Sequence, residues 1–294
     1  MVADPGIEAV VRARDPRRAM TRVALVQVAS PAAEPPARRR ERVGRMVADA
    51  RGADLVLLPE LWLPGYFAFD RYAELAEPLH GDTVAAAREW ARELGCFLHL
   101  GSILEQAPAG RLHNTAVLVD PSGTIVHTYR KIHLFGYRSR EAELLTSGDT
   151  VATVTSPLGT TGTLTCYDLR FPEIWRALTD AGAEAVAVPA AWSARVRAHW
   201  RLLTAARAVE QQMLILACNA AGTHEGVTLA GASRVVDPWG TVLAEAGAAE
   251  EILRCDIDPG VVARIREEFP VLRDRRSGRS RPPGRGTPRP RPQR

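Results

Sequence analysis

Short, almost wholly apolar runs recur along this chain with helical patterns between them, and that alternation most constrains the fold. Val23 to Val28, Asp54 to Leu58, Phe97 to Ile103, Ala185 to Val188 and Met213 to Ala217 are each strand-length and apolar on both alternating faces. Strands of that kind lie inside a sheet covered on both sides. Between them, Arg38 to Arg51 places Val43, Met46, Val47 and Ala50 on one helical face, and Thr83 to Leu94 reads as a helix stopped by Gly95. Two hairpin signals, Asp120-Pro121-Ser122-Gly123 and Asp237-Pro238-Trp239-Gly240, join further strand pairs. A helix from His199 to Gln211, a last strand from Ile252 to Ile257 and a last helix from Pro259 to Phe269 complete the pattern. Helices alternating with buried strands give an α/β class, a mixed sheet covered by helices.

Three strand ends carry chemistry. Leu57-Leu58-Pro59-Glu60 closes an apolar run with a carboxylate, and the loop Leu63-Pro64-Gly65-Tyr66 lies over that end. Tyr129-Arg130-Lys131-Ile132-His133 closes the first hairpin, and Lys131 is the only lysine in the chain. Where every other long basic side chain is arginine, one retained ammonium marks a tight site that a guanidinium cannot fill. The threonine-rich strand Thr161 to Thr165 delivers Cys166, and Pro172 suits the first turn of a following helix that runs to about Thr179. A cysteine at such a corner is held rigidly and faces a cleft. The helix N-terminus beyond it would favour a thiolate and a developing oxyanion. A buried, inert thiol is the competing reading.

A nucleophilic thiol, a carboxylate base and an ammonium suffice for acyl transfer. Glu60 would take the thiol proton, Lys131 and the N–H of Tyr167 would face the oxyanion, and a thioester on Cys166 would be cleaved by water that Glu60 activates. A cysteine–histidine hydrolase is the rival enzyme, since seven histidines exist; His133 reads as structural, and His199 opens a helix.

Glutamate, lysine and cysteine in that order, within Leu58-Pro59-Glu60, Tyr129 to Phe135 and Cys166-Tyr167-Asp168-Leu169-Arg170-Phe171-Pro172-Glu173, resemble the carbon–nitrogen hydrolase (nitrilase) superfamily. Ala198-His199-Trp200 and Arg207-Ala208-Val209-Glu210 agree. The resemblance covers about residues 21 to 276. It implies a four-layer α-β-β-α sandwich that dimerises through helices, no cofactor and no metal. It also implies Glu60 as base, Lys131 as oxyanion stabiliser, Cys166 as nucleophile and a second glutamate, here Glu141, with Glu143 as the rival two residues on. The residues after the cysteine look like the ω-amidase and deaminated-glutathione amidase branch, which implies hydrolysis of a carboxylate-bearing primary amide. N-carbamoyl amine and nitrile hydrolysis are the alternatives within the family.

Tyr66, Tyr167, Arg170 and Trp192 are the candidate substrate-binding residues. Arg170 would pair bidentately with a substrate carboxylate, or with Asp168 or Glu173. The stretch Pro189 to Arg197 departs from the Thr-Gly-containing loop of the family, and Trp192, Arg195 and Arg197 are candidates to reshape the pocket.

Cys96, Cys166, Cys218 and Cys255 are far apart, which argues against a zinc site and a disulfide framework; the three besides Cys166 read as core. No run of eighteen apolar residues exists, so no membrane helix is expected, and the charged N-terminus lacks a signal-peptide core, which makes the cytoplasm the expectation. From Arg273 to Arg294 the chain carries nine arginines and one aspartate, +8 against +4 for the whole, so the body is near −4. Residues 1–20 read as a flexible extension, 21–276 as the hydrolase domain and 277–294 as a disordered Arg/Pro-rich tail. The class-level alternative is a non-catalytic binding protein whose tail holds nucleic acid nonspecifically.

Overall fold

The computed structural model describes residues 20–276. Residues 1–19 of the expected extension (1–20) and the expected Arg/Pro-rich tail (277–294), with the nonspecific nucleic-acid binding expected of it, lie outside the described residues.

The first half runs β1 (Thr21–Gln27), α1 (Pro36–Asp49), β2 (Leu55–Leu57), α2 (Asp82–Leu94), β3 (Phe97–Gln106), β4 (Leu112–Val119) and β5 (Ile125–Arg130). The second runs β6 (Thr153–Ser156), β7 (Gly159–Thr163), α3 (Pro172–Asp180), β8 (Ala185–Ala190), α4 (Arg197–Gln211) and β9 (Leu214–Asn219). A small hairpin, β10 (Thr223–His224) with β11 (Val227–Thr228), precedes β12 (Arg234–Val236), β13 (Val242–Glu245), β14 (Glu251–Ile257) and α5 (Val261–Glu268). Two six-stranded sheets result, ordered β14-β1-β2-β3-β4-β5 and β13-β12-β9-β8-β7-β6. Each has three parallel strands at its centre (β1-β2-β3 and β7-β8-β9) with antiparallel neighbours outside.

The period-2 alternation of the strands builds the layers. Val23, Leu25, Leu55 and Leu57 of the first sheet pack with Ala185, Ala187, Leu214 and Leu216 of the second. The intervening Ala24, Val26 and Val56 pack outward with Val43 and Val47 of α1 and Val84 and Ala87 of α2. Val186, Val188 and Ile215 likewise meet Trp175 and Leu178 of α3 and Trp200 of α4. The protein is therefore a four-layer α-β-β-α sandwich, and the apolar runs are uninterrupted because both faces of each central strand are covered.

Three details differ from the sequence reading. Pro189 lies within β8 rather than ending it; β7 stops at Thr163 opposite Ala187, so the proline falls beyond the ladder on that side. The first strand of the second hairpin is short, beginning only at Arg234, because Gly231 and Ala232 take left-handed backbone. Cys255 is half-buried on the outermost strand, not core.

Candidate active site

The C-terminal ends of the central parallel strands converge, the place where open α/β sheets bind ligands. Glu60 follows β2. Its segment sits tightly on β3: a Cβ at Gly101 would lie 1.9 Å from the carbonyl oxygen of Pro59, and Gly101 has φ +75°. Only glycine permits that approach. β3 bulges there, between His99 and Ser102, and Ser102 Oγ accepts the N–H of Leu61 at 3.1 Å.

Lys131 directly follows β5. Its N–H donates to Asn114 O and its carbonyl accepts from Gly148 N, both at 2.9 Å, which fixes its backbone on two sides. Cys166 follows β7 with φ 47°, a left-handed conformation that costs a residue with a Cβ about 1–2 kcal/mol. The helix expected from Pro172 forms there as α3, and a five-residue 3₁₀ turn, Cys166–Arg170, lies between it and the cysteine.

Asp168, fully buried in that turn, holds the strain. It accepts from Thr165 N at 2.9 Å, Tyr129 Oη at 2.7 Å, and His133 N and Nδ1 at 3.0 and 2.8 Å. One carboxylate thus joins the residue before Cys166 to the residues two before and two after Lys131. His133 also stacks on Phe171, with centroids 3.8 Å apart. Among the described residues no histidine hydrogen-bonds Cys166, so the cysteine–histidine arrangement is not formed.

The side chains of Glu60, Lys131 and Glu141 are completely enclosed. Lys131 Nζ donates to Glu60 Oε1 at 2.7 Å and to both Glu141 oxygens at 2.9 Å. Asn114 Nδ2 donates to both carboxylates, at 2.8 and 2.9 Å, and Ala191 N donates to Glu60 Oε2 at 2.9 Å. Tyr66 Oη and Phe135 N donate to Glu141 Oε2 at 3.0 and 2.7 Å. Glu143 is instead exposed and faces Arg140.

Electrostatics set the resting protonation. Burial holds the Glu60 carboxyl above its usual range, with Lys131 opposing and Glu141 adding to the effect. Burial, then the Glu60 charge, pushes the Cys166 thiol well above 9, against the pull of Lys131. Burial alone would lower Lys131, but Glu141 and Glu60 outweigh it and keep the ammonium protonated. The site therefore rests with a thiol and an ammonium, not with the thiolate that a helix terminus would favour. The Glu60 carboxyl acts directly on the Cys166 thiol, which makes it the base available to take the thiol proton.

Above the thiol opens a cleft of about 420 Å³ lined by Tyr66, Cys166, Tyr167, Arg170 and Trp192 together with Phe67, Phe135 and Val196. All four expected substrate-binding side chains meet there. Arg195 and Arg197 do not line it; Arg195 is exposed. Arg170 pairs with neither Asp168 nor Glu173. Its guanidinium lies 4.6 Å from the Trp192 ring centroid and faces Nδ1 of His199 at 3.4 Å. Sequence reasoning missed Asn114, Phe67, Phe135 and the Ala191 N–H. Asn114 carried a signal, an amide at the polar start of a buried strand. Among the described residues no group of three or more His, Cys, Asp or Glu converges as a metal site requires, and no helix is long and apolar enough to cross a membrane.

Known proteins share this arrangement of the chain. The carbon-nitrogen hydrolase family model matches residues 22–267. A 2-oxoglutaramate amidase of Paenarthrobacter nicotinovorans is 37% identical over 274 residues, 91% of this chain and 93% of that protein. A human omega-amidase is 37% identical over 238 residues, 78% of this chain and 86% of its own. Among solved structures, a CN-hydrolase superfamily protein from Xanthomonas campestris with an arsenic adduct in its active site superposes with a TM-score of 0.82 at 28% identity, covering 88% of this chain and 98% of that one. An amidase from Nesterenkonia sp. gives 0.73 at 29%, covering 88% and 97%. With a family model over most of its length and curated relatives above 30% identity, the chain belongs to the carbon-nitrogen hydrolase family.

Proposed function

We propose that the protein hydrolyses a primary amide whose acyl chain ends in a carboxylate, releasing ammonia. The observation that carries this is the enclosed Glu60–Lys131–Glu141 cluster beside Cys166, opening into a cleft that holds a guanidinium with no carboxylate partner among the described residues. The names of the relatives, 2-oxoglutaramate amidase and omega-amidase, support the substrate class.

Glu60 takes the proton of Cys166 as Sγ attacks the amide carbonyl. The oxyanion is met by Lys131 Nζ and the Tyr167 N–H. Glu141 orients the ammonium by accepting through both oxygens. Glu60 passes its proton to the amide nitrogen, the C–N bond breaks and ammonia leaves, with the acyl group on Sγ. Glu60 then deprotonates a water, the hydroxide adds to the thioester, the C–S bond breaks and the thiol recovers its proton. Tyr66 and Tyr167 shape the walls, and Arg170 takes the distal carboxylate.

Ammonia release from 2-oxoglutaramate, butyramide, a nitrile and an N-carbamoyl amine tests this. The carboxylate-bearing amide is expected to be turned over best, with Cys166→Ala inactive. Preferred release from the nitrile or carbamoyl compound would overturn the amidase reading.

A homodimer belongs to the same proposal. Leu202 and Val209, seven residues apart on one face of α4, are exposed and suit helix-to-helix association. Light scattering at the monomer mass would contradict it. A cytoplasmic setting is supported by the need for a reduced thiol and by four free cysteines.

A further inference from the structure

The Trp192 indole is held from several directions. Its Nε1 donates to Val196 O at 2.9 Å, its ring lies 5.6 Å from that of Trp200, and its backbone N–H donates to Asn219 Oδ1 at 2.7 Å. Asn219, itself completely buried, returns Nδ2 to Trp192 O at 3.3 Å and to Gly231 O at 2.8 Å. Trp192 is 4% exposed, while the Arg170 guanidinium it carries lines the cleft. An arginine side chain otherwise has wide rotamer freedom, and ordering it on a substrate carboxylate costs free energy at binding. A fixed aromatic face removes part of that cost beforehand and leaves N–H donors at the guanidinium edge for a substrate carboxylate. The His199 contact works in the same direction, because a ring nitrogen holds the guanidinium without neutralising it as a carboxylate would.

We propose that Trp192 is a positioning residue that sets the preference for carboxylate-ended amides by presenting Arg170 to the cleft. It rests on the amidase reading above. Its consequence is a split between substrates: loss of the indole face weakens capture of the distal carboxylate and leaves the thiol chemistry in place.

The test compares kcat and KM on 2-oxoglutaramate and on butyramide for the wild-type protein, Trp192→Leu, Trp192→Phe and Arg170→Gln. Trp192→Leu is expected to lower the ratio of kcat/KM for the two amides by about tenfold, through KM for 2-oxoglutaramate. Trp192→Phe, which keeps a smaller ring face, is expected to fall between wild type and Trp192→Leu, so the result does not hang on one variant that fails to fold. Equal losses on both amides, or a fall in kcat alone, would overturn the proposal. If Arg170→Gln erases the preference while both Trp192 variants keep it, the proposal falls and the amidase reading stands. If Arg170→Gln keeps the preference, the carboxylate reading itself fails and takes the proposal with it.

Discussion

Lys131 Nζ lies 2.7 Å from Oε1 of Glu60, and neither side chain has any exposure to solvent. A buried pair of this kind is held by mutual compensation, so removing one partner strands the other. Lys131→Ala is expected to lower kcat by about 10²–10³-fold or more, as loss of an oxyanion donor does. It also lowers the melting temperature, because Glu60 and Glu141 are left facing each other. Lys131→Arg does not rescue activity, since a planar fork cannot replace a point donor in a closed space. Ammonia release and thermal melting check both statements, and an active Lys131→Arg protein would count against the geometry.

The two neighbouring glutamates separate cleanly. Glu141→Gln removes a charge that accepts from Lys131, Asn114, Tyr66 and Phe135. It is expected to cost about 10²-fold or more in kcat. Glu143 is exposed and meets only Arg140, so Glu143→Gln stays within about twofold of wild type, in line with a weak surface ion pair. Steady-state kinetics on the two variants decide it.

The pH profile follows from the raised pKa values. Glu60 must be ionised to accept the thiol proton, so kcat/KM rises with pH through a value above 4.5. Cys166 keeps the proton that Glu60 needs to pass to the leaving nitrogen until above 9, so the alkaline limb lies beyond that value. A kcat/KM profile with its acid limb at or below 4.5 would contradict the enclosed Glu60.

His99 makes a stability prediction. Burial pushes its imidazole down to about 3, and its ring bridges the sheets, with Nε2 3.2 Å from Thr163 Oγ1. A histidine depressed in the folded state contributes stability that is complete above its unfolded value of 6.5. That stability is lost as pH falls towards 3. Melting temperature is expected to fall between pH 6.5 and pH 4 in the wild type and to fall less steeply in His99→Gln.

Gly101→Ala tests how Glu60 is placed. The new Cβ would sit 1.9 Å from Pro59 O on a left-handed backbone. The left-handed strain alone costs about 1–2 kcal/mol, and the clash pushes the Glu60 segment away from Lys131. A drop in melting temperature with a larger drop in kcat is expected; unchanged kcat in a folded protein would show that Glu60 is positioned otherwise.

Much of this was legible in the chain because strand ends announce themselves. Leu58-Pro59-Glu60, Lys131 after a hairpin strand and Cys166 before Pro172 each stand where an apolar period stops; runs apolar on both faces led only to an α/β class, and the four-layer order came from the family resemblance. What escaped depended on distance in sequence. Asn114 reaches Glu60 only because β3 and β4 pair antiparallel with a bulge, and Asp168 meets Tyr129 and His133 only across two different sheets. The partner of Arg170 was open between a substrate and two neighbouring acids; the 3₁₀ turn swings it onto Trp192 instead. That Cys166 rests as a thiol, as a base-assisted attack requires, has a physical reason. A helix-terminal field favours a thiolate, but enclosure, with Glu60 alongside, outweighs it.

The central claim is that Cys166 carries the acyl group. Intact-mass spectrometry of the protein quenched within milliseconds of mixing with 2-oxoglutaramate, followed by peptide mapping, addresses it directly. The account predicts a transient adduct equal to the substrate less ammonia, located on the peptide that holds Cys166 and absent in Cys166→Ala. Ammonia release that persists in Cys166→Ala, or an adduct on another residue, would contradict it.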